Sequence, residues 1–213
     1  MQIEQLKKII DFLEYKEQQN PPLKWKLINN MPLTEEDLNF KGDLSLSRTN
    51  ITSLPEGLKV GGFLSLTYTQ ITSLPKDLNV KGHLVLSNTE IETLPEGLEV
   101  GGSLFVSDTE ITSLPEGLKV GGDLDLSYAQ ITSLSEGLEV GGELDLRATD
   151  IILLPKGLKV GSDLDLRLTE ITSLPKGLKV GGRLYIGNAP LRKYSDNELR
   201  EMVKPDGYIG KIY

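Results

Sequence analysis

Cysteine is absent from this chain of 213 residues, and histidine and tryptophan occur once each. Without cysteine the protein has no disulfide framework, no thiolate metal site and no cysteine nucleophile. Long hydrophobic runs are missing too: the start, MQIEQLKKIIDFLEYKEQQ, mixes charges among its apolar residues, unlike a signal peptide, and no later segment has the length of a membrane span. We therefore expect a soluble, cytoplasmic protein with no membrane partner, and unconventional secretion stays open as the alternative.

Basic residues are fewer than acidic residues, which gives a net charge of -8 and a pI near 4.8. Nucleic acids and anionic membranes carry the same sign, so direct nucleic-acid binding is not expected. A protein partner with a basic surface fits the charge better. Composition does not fix the oligomeric state, and we favour a monomer.

A unit of twenty residues dominates the chain, as in GGDLDLSYAQITSLSEGLEV followed by GGELDLRATDIILLPKGLKV over residues 121–160. A period of this length predicts a solenoid, in which each unit buries its apolar face only against its neighbours. We expect one elongated, mainly β solenoid of eight turns over residues 41–191, between an N-terminal cap at 1–40 and a C-terminal cap at 192–213. The apolar pair of each unit recurs at Leu44/Leu46, Leu64/Leu66, Leu84/Leu86, Leu104/Val106, Leu124/Leu126, Leu144/Leu146, Leu164/Leu166 and Leu184/Ile186.

Polar and apolar residues alternate with period two in the DLDLS segment at 123–127, which predicts a strand with one buried and one exposed face. One such strand per turn would build a parallel sheet. Gly121 and Gly122 precede the strand and Gly117 lies in the return, where glycine permits a positive φ or a close approach of backbones. Pro115 disfavours helix in that return.

The two ends depart from the repeat. Ile3, Leu6, Ile9, Ile10 and Leu13 mark one face of a helix that would cover the first turn. A second short helix is predicted to begin near Thr34. At the other end, the SDNE segment at 195–198 matches a capping box, and the PDG turn at 205–207 precedes a predicted terminal strand.

The pattern L-x-L-x-x-T-x-I followed by x-x-L-P resembles the short bacterial leucine-rich repeat, as found in the repeat parts of type III-secreted effectors and in small repeat proteins of phages and prophages. The resemblance covers residues 41–191. It implies that the exposed strand face is concave and binds a partner, and that an internal asparagine ladder links the turns. Here the asparagine is replaced by Thr49, Thr69, Thr89, Thr109, Ala129, Thr149, Thr169 and Ala189. Threonines could form a ladder of their own, interrupted at the two alanines.

The strand residues that point away from the predicted core vary while the scaffold repeats, and several are aromatic or aliphatic. Exposed apolar residues on such a face favour partner binding over simple drift of solvent positions, which would also give variation. The candidate partner-binding residues are Phe63, Tyr68, His83, Val85, Phe105, Asp123, Asp125, Tyr128, Glu143, Asp145, Arg147, Asp163, Asp165 and Arg167.

Six of these residues are carboxylates on three adjacent predicted strands, with Arg147 and Arg167 placed to offset part of their repulsion. They could dock lysines or arginines of a partner, or form a solvated charged face. GGDLD faintly resembles a calcium-binding nonapeptide repeat, but the period is wrong and parallel carboxylates on a flat strand do not converge on one ion. The sequence thus predicts no metal, no cofactor and no catalytic residue.

Non-catalytic protein binding is the function that these patterns favour. The first alternative is an acidic mimic of DNA, for instance a phage-encoded inhibitor of a nucleic-acid-binding or defence protein of the host. The second is a hydrolase that uses two of the strand carboxylates, for which the sequence offers no buried, unequal pair. His83 lacks an orienting acid and an oxyanion hole, so a triad is not expected.

Overall fold

The computed structural model describes residues 21–213, which form a parallel β-solenoid of about seven turns with little helix. The predicted solenoid is thereby confirmed. The predicted capping helix around Leu6 and Ile10 lies outside the described residues.

The Leu-x-Leu segments form one column of parallel strands, at the positions that the alternation predicts. Register partners are twenty residues apart, as for Leu124 and Leu144. Eight such strands are therefore separated by seven steps of one repeat. The strands are β2 (Leu44–Ser45), β4 (Leu64–Ser65), β6 (Leu84–Val85), β8 (Leu104–Phe105), β10 (Leu124–Asp125), β12 (Leu144–Asp145), β14 (Leu164–Asp165) and the end of β15 (Lys179–Tyr185).

A second column of strands precedes the glycine pairs, whereas the sequence predicts one strand per turn. Its members are β1 (Asn39–Phe40), β3 (Lys59–Val60), β5 (Asn79–Val80), β7 (Glu99–Val100), β9 (Lys119–Val120), β11 (Glu139–Val140) and β13 (Lys159–Val160). Strand β15 takes part in both columns and joins them into one sheet at the C-terminal end. The signal for these strands is the alternation in LKV at 118–120, where the two outer residues are buried and the lysine is exposed.

Six aliphatic positions of each unit fill the interior. In the unit around β10, Leu124, Leu126 and Ile131 have no exposed surface, and Leu118 and Val120 are also buried. Each fully buried side chain of this size stabilises the fold by about 1.5–3 kcal/mol. Since the apolar cluster runs from Leu23 to Ile209, the turns share one continuous core.

Two glycines of the unit show why this residue recurs. Gly117 has a φ of +71°, a conformation that costs other residues more. Gly142 lies where a Cβ would be 2.0 Å from Asp123 Oδ1 and 2.9 Å from the carbonyl carbon of Gly122. The predicted needs for positive φ and for close approach are therefore both met, at different glycines.

The described part of the N-terminal cap contains α1 (Leu23–Ile28) and α2 (Glu35–Leu38). Helix α1 buries Leu23 and Leu27 against the core. Helix α2 begins after Thr34, as predicted, and Thr34 also forms a capping box with Asp37. Lys26 and Asp37 form a buried salt bridge of 2.5 Å. Burial raises the pKa of Asp37, but hydrogen bonds from Lys26 and Thr34 outweigh it and hold this pKa below its usual value.

The C-terminal cap consists of a 3-10 helix (Pro190–Lys193), α3 (Asp196–Met202) and β16 (Tyr208–Ile212), which confirms the predicted helix and strand. Helix α3 begins with the capping box of Ser195, and β16 pairs in parallel with β15. Arg200 donates to the carbonyl oxygens of Ile209 and Gly210. None of the helices between residues 21 and 213 is long and apolar enough to cross a membrane.

Candidate functional site

The Leu-x-Leu face is the surface formed by strand side chains that point away from the core. It has two columns, since one residue precedes each Leu-x-Leu pair and one lies inside it. Column one is Asp43, Phe63, His83, Ser103, Asp123, Glu143, Asp163 and Arg183; column two is Ser45, Ser65, Val85, Phe105, Asp125, Asp145, Asp165 and Tyr185. The register of twenty residues places equivalent positions side by side on neighbouring turns.

Column one has a structural task that the sequence analysis missed. His83 Nδ1 accepts a hydrogen bond from the backbone N–H of Ser103 at 2.9 Å, and Ser103 Oγ accepts from the N–H of Asp123 at 3.0 Å. An accepting Nδ1 places the proton of a neutral ring on Nε2. Asp43, Asp123 and Asp163 accept in the same way from Phe63, Glu143 and Arg183. Aspartate, histidine and serine therefore differ in identity but share one role, that of acceptor for the next turn.

The second glycine of the glycine pair is coupled to this acceptor. A Cβ at Gly182 would lie 2.1 Å from Asp163 Oδ1, much as at Gly142. The pair reads Gly-Ser only at 161–162, in the turn that follows Glu143, which is not among the residues found to accept such a bond. Glycine is also kept at Gly82, after Phe63, which offers no acceptor. There a Cβ would lie 2.6 Å from the carbonyl carbon of Gly62, so contact with the backbone of the preceding turn also requires glycine.

Two aspartates of column two form salt bridges with arginines of the same strand face. Asp145 and Asp165 are only 8% and 2% exposed. Arg147 Nη2 lies 2.6 Å from Asp145 Oδ2, and Arg167 Nη2 lies 2.5 Å from Asp165 Oδ2. Hydrogen bonds to these carboxylates raise the pKa of both guanidinium groups. The structure thus brings the predicted acids and arginines together, and it leaves these two carboxylates little capacity to bind a partner.

Glu143 stands among the remaining acids. Burial raises its pKa, and the charges of Asp145, Asp163, Asp123 and Asp165 raise it further. Oxygens of Glu143, Asp145 and Asp165 lie within 4.8 Å of one another and are the carboxylate group best placed to hold a cation. Two of the three are already neutralised by guanidinium groups. The third, Glu143, lies on an open strand face. A pair of catalytic carboxylates there would lack the enclosed environment that a hydrolase needs.

The apolar candidates on the face lie close together in its N-terminal half. Val85 and Phe105 are register partners on adjacent strands, and the rings of His83 and Phe105 are 6.3 Å apart. Phe63, Val85 and Phe105 are each half-buried, and the His83 side chain is exposed. Three apolar side chains are therefore accessible on neighbouring turns.

Tyr68 and Tyr128 lie in the turn after the strand. Both have a positive φ, 57° and 59°, and their side chains are 53% and 55% exposed. Leu168, at the equivalent position, is 52% exposed and was missed by the sequence analysis. Ile152 and Leu153 were missed as well, although they replace the usual Thr-Ser of the repeat and are highly exposed.

The threonines that replace the asparagine of the resembling family bond within their own turn. Thr69 Oγ1 donates to the carbonyl oxygen of Leu66 at 2.6 Å, and Thr109 donates to Val106 at 2.7 Å. Each bond closes the turn after a Leu-x-Leu strand. The expected donation to carbonyls is present, but in these bonds it does not link successive turns.

Comparison of the chain with models of known protein families and with curated proteins finds no match. The likeness to leucine-rich repeats rests on the repeat pattern and on the solenoid that it forms.

Proposed function

We propose that this protein is a non-catalytic binding module that holds a protein partner on its Leu-x-Leu face. The observation that carries the proposal is the accessible apolar cluster of Phe63, Val85 and Phe105 on adjacent turns. The scaffold does not require apolar residues there, because serine or aspartate occupies the same positions in other turns. Aromatic residues grouped in this way are typical anchors of protein interfaces.

The pairing of the C-terminal acids modifies the expected acidic docking patch. Asp145 and Asp165 are neutralised, so Asp123, Asp125, Glu143 and Asp163 remain as the accessible carboxylates in the C-terminal half of the face. We place the main anchors in the N-terminal half of the face and assign these carboxylates to the steering of a basic partner.

We further propose a bacterial or phage origin and a soluble, cytoplasmic monomer that binds neither membrane nor nucleic acid. The DNA-mimic alternative is less favoured because acids and lysines pair along the second strand column, as in Glu99 with Lys119 at 2.7 Å and Glu139 with Lys159. The hydrolase alternative is less favoured because Asp145 and Asp165 are engaged by arginines.

Affinity capture from bacterial lysate tests the proposal with three forms of the full chain. The face variant is Phe63→Ser with Phe105→Ser, and the control is the charge swap Glu99→Lys with Lys119→Glu, which preserves a salt bridge on another surface. Each lost aromatic anchor should weaken a complex by about 2 kcal/mol. We expect proteins retained by the wild type and the control but not by the face variant. Identical retention by all three forms, or no retention, would overturn the proposal, provided that thermal melts show all three to be folded.

A further inference from the structure

The turn after each Leu-x-Leu strand requires a left-handed residue at one position. Asn88, Asp108 and Asn188 occupy it with φ of 58°, 54° and 63°. Asparagine and aspartate adopt this conformation at low cost, and larger side chains do so at higher cost. The scaffold alone therefore favours such residues here.

Five other residues hold the same conformation: Arg48, Tyr68, Tyr128, Ala148 and Leu168, with φ of 58°, 57°, 59°, 53° and 61°. The large apolar residues among them are Tyr68, Tyr128 and Leu168. Each side chain is more than half exposed, so burial within the described chain does not compensate for the backbone cost. Tyr68 has a contact within the chain, since the Arg48 guanidinium lies 5.0 Å from the centre of its ring. The three residues thus depart from the preference of the scaffold in two ways at once. At Tyr128 and Leu168, a contact with another molecule would account for both.

The position two residues further along the chain is exposed and is polar or acidic in the first seven turns, whereas Pro190 occupies it in the eighth. It reads Asn50, Gln70, Glu90, Glu110, Gln130, Asp150 and Glu170, without a lysine or arginine. We call this row and the left-handed row together the turn edge. Between residues 21 and 213, no salt bridge involves the four carboxylates of the row. With Asp108 and Arg48 of the left-handed row included, the turn edge carries five carboxylates and one guanidinium group, so it is net negative.

The two rows stack in register beside the Leu-x-Leu face. The N–H of Tyr128 donates to the carbonyl oxygen of Arg147 in the next turn at 2.9 Å, and Arg48 donates to Thr67 at 3.0 Å. With about 4.8 Å per turn, Tyr68 and Tyr128 are roughly 14 Å apart, and Tyr128 and Leu168 roughly 10 Å. Glu90 and Glu110 belong to the turns between the two tyrosines. The apolar side chains thus alternate with carboxylates along one line.

We infer that the turn edge is part of the binding surface and that it receives a cationic segment of the partner protein, in which lysines or arginines alternate with aromatic or aliphatic residues. The inference rests on the proposed function, since the turn edge borders the face that is proposed to hold the partner. Charge complementarity selects this occupant: a second copy of the chain would present the same acidic row, and an anionic partner would be repelled.

A displayed library of random 16-residue peptides, selected against the full-length protein, tests the chemistry of the partner without prior choice. We expect enriched sequences that combine lysine or arginine with aromatic or large aliphatic residues. Enrichment of acidic or uncharged sequences, or of none, would overturn the inference.

The dissociation constant of the best peptide, synthesised and labelled, then tests the location. The edge variant Tyr68→Asn, Tyr128→Asn, Leu168→Asn should bind at least about tenfold more weakly and remain folded, because asparagine suits the left-handed position. The swap Glu99→Lys with Lys119→Glu should bind like the wild type. Neutralising Glu90, Glu110, Asp150 and Glu170 to the corresponding amides should weaken binding at low salt and flatten its salt dependence.

The face variant separates failure of the inference from failure of the proposed function. If Phe63→Ser with Phe105→Ser abolishes peptide binding and the edge variant does not, the turn edge is excluded and the proposed function stands. If neither variant alters binding, both are wrong.

Discussion

Column one of the Leu-x-Leu face and the left-handed row of the turn edge both vary from turn to turn, but for different reasons. In column one the changes among Asp43, His83 and Ser103 preserve a hydrogen-bond acceptor for the next turn. In the left-handed row, Tyr128 and Leu168 depart from the asparagine and aspartate that the backbone favours. Variation among these acceptors satisfies the scaffold, although Phe63 in the same column offers no acceptor. Variation in the left-handed row opposes the scaffold.

Variable positions in a repeat protein are therefore not equal evidence for function. Each position must first be compared with what its backbone requires, since an acidic column can be structural and an exposed tyrosine can be costly. The predictions below test whether the two rows differ in this way.

The largest effect is expected at Gly142, because its Cβ would collide with the acceptor of column one and would also lie 2.9 Å from the carbonyl carbon of Gly122. Gly142→Ala should lower the free energy of unfolding by about 2 kcal/mol. The double variant with Asp123→Ala should lose less than the sum of the two single changes, since the colliding oxygen lies 2.0 Å from that Cβ and is then removed.

Gly117→Ala serves as the control for Gly142→Ala. It has a φ of +71° and open space around its Cβ, so alanine should cost about 1 kcal/mol from the backbone alone. Asp123→Ala should not change that cost. Denaturant unfolding measures the free energies of the three single variants and of the two double variants that include Asp123→Ala. Strict additivity at Gly142 would mean that the acceptor does not contribute to the glycine requirement.

A smaller loss is expected from Ser103→Ala, which removes only the hydroxyl that accepts from the N–H of Asp123. The loss should be about 1 kcal/mol, the usual net value of one hydrogen bond. Ser73→Ala, at an exposed position of the return, should change stability by less than about 0.5 kcal/mol. Equal melting of the two variants would show that column one does not stabilise the stack.

The solenoid could be predicted from the sequence because two periods are visible in it, twenty residues along the chain and two within DLDLS at 123–127. The pairing of Arg147 and Arg167 with aspartates was also predictable, since residues two apart share one face of a strand. The second column of strands, such as Lys119–Val120, was not predicted, because the alternation in LKV at 118–120 spans only three residues. The capping helix around Leu6 remains a prediction.

The acceptor role of column one could not be found from composition. Its donor is a backbone N–H twenty residues away, and every residue has such a group except proline. A serine, a histidine and an aspartate look unrelated until the geometry shows that they meet the same donor. The turn edge was partly visible, because Tyr68 and Tyr128 were selected as aromatic, but their positive φ was known only from the structure.

In the left-handed row, replacing tyrosine by asparagine and asparagine by tyrosine should change the free energy of unfolding in opposite directions. Tyr128→Asn should raise the free energy of unfolding by about 0.7 kcal/mol, and Asn88→Tyr should lower it by a similar amount, because only asparagine suits the positive φ. Chemical denaturation with a shared slope measures both. A loss of stability in both variants would mean that Tyr128 has compensating contacts within the chain, and the argument for the turn edge would fail.

The smallest effect is expected at Glu143, the column-one residue whose charge the fold disfavours. Burial and the neighbouring aspartates raise its pKa in the folded state above the ordinary value of 4.5. The free-energy cost of ionising Glu143 is therefore absent below its pKa in the unfolded chain, appears as the pH rises between the two pKa values, and is complete above its pKa in the folded state.

Glu143→Gln should then be more stable than the wild type by about 0.5 kcal/mol at pH 7, a value kept small because the side chain is partly solvated. The difference should vanish near pH 4, whereas Glu116→Gln, at an exposed position of the return, should match the wild type throughout. Thermal melts of the three proteins from pH 4 to pH 8 measure this, and a wild type as stable as Glu143→Gln at pH 7 would show that the accessible acids of the face do not repel one another.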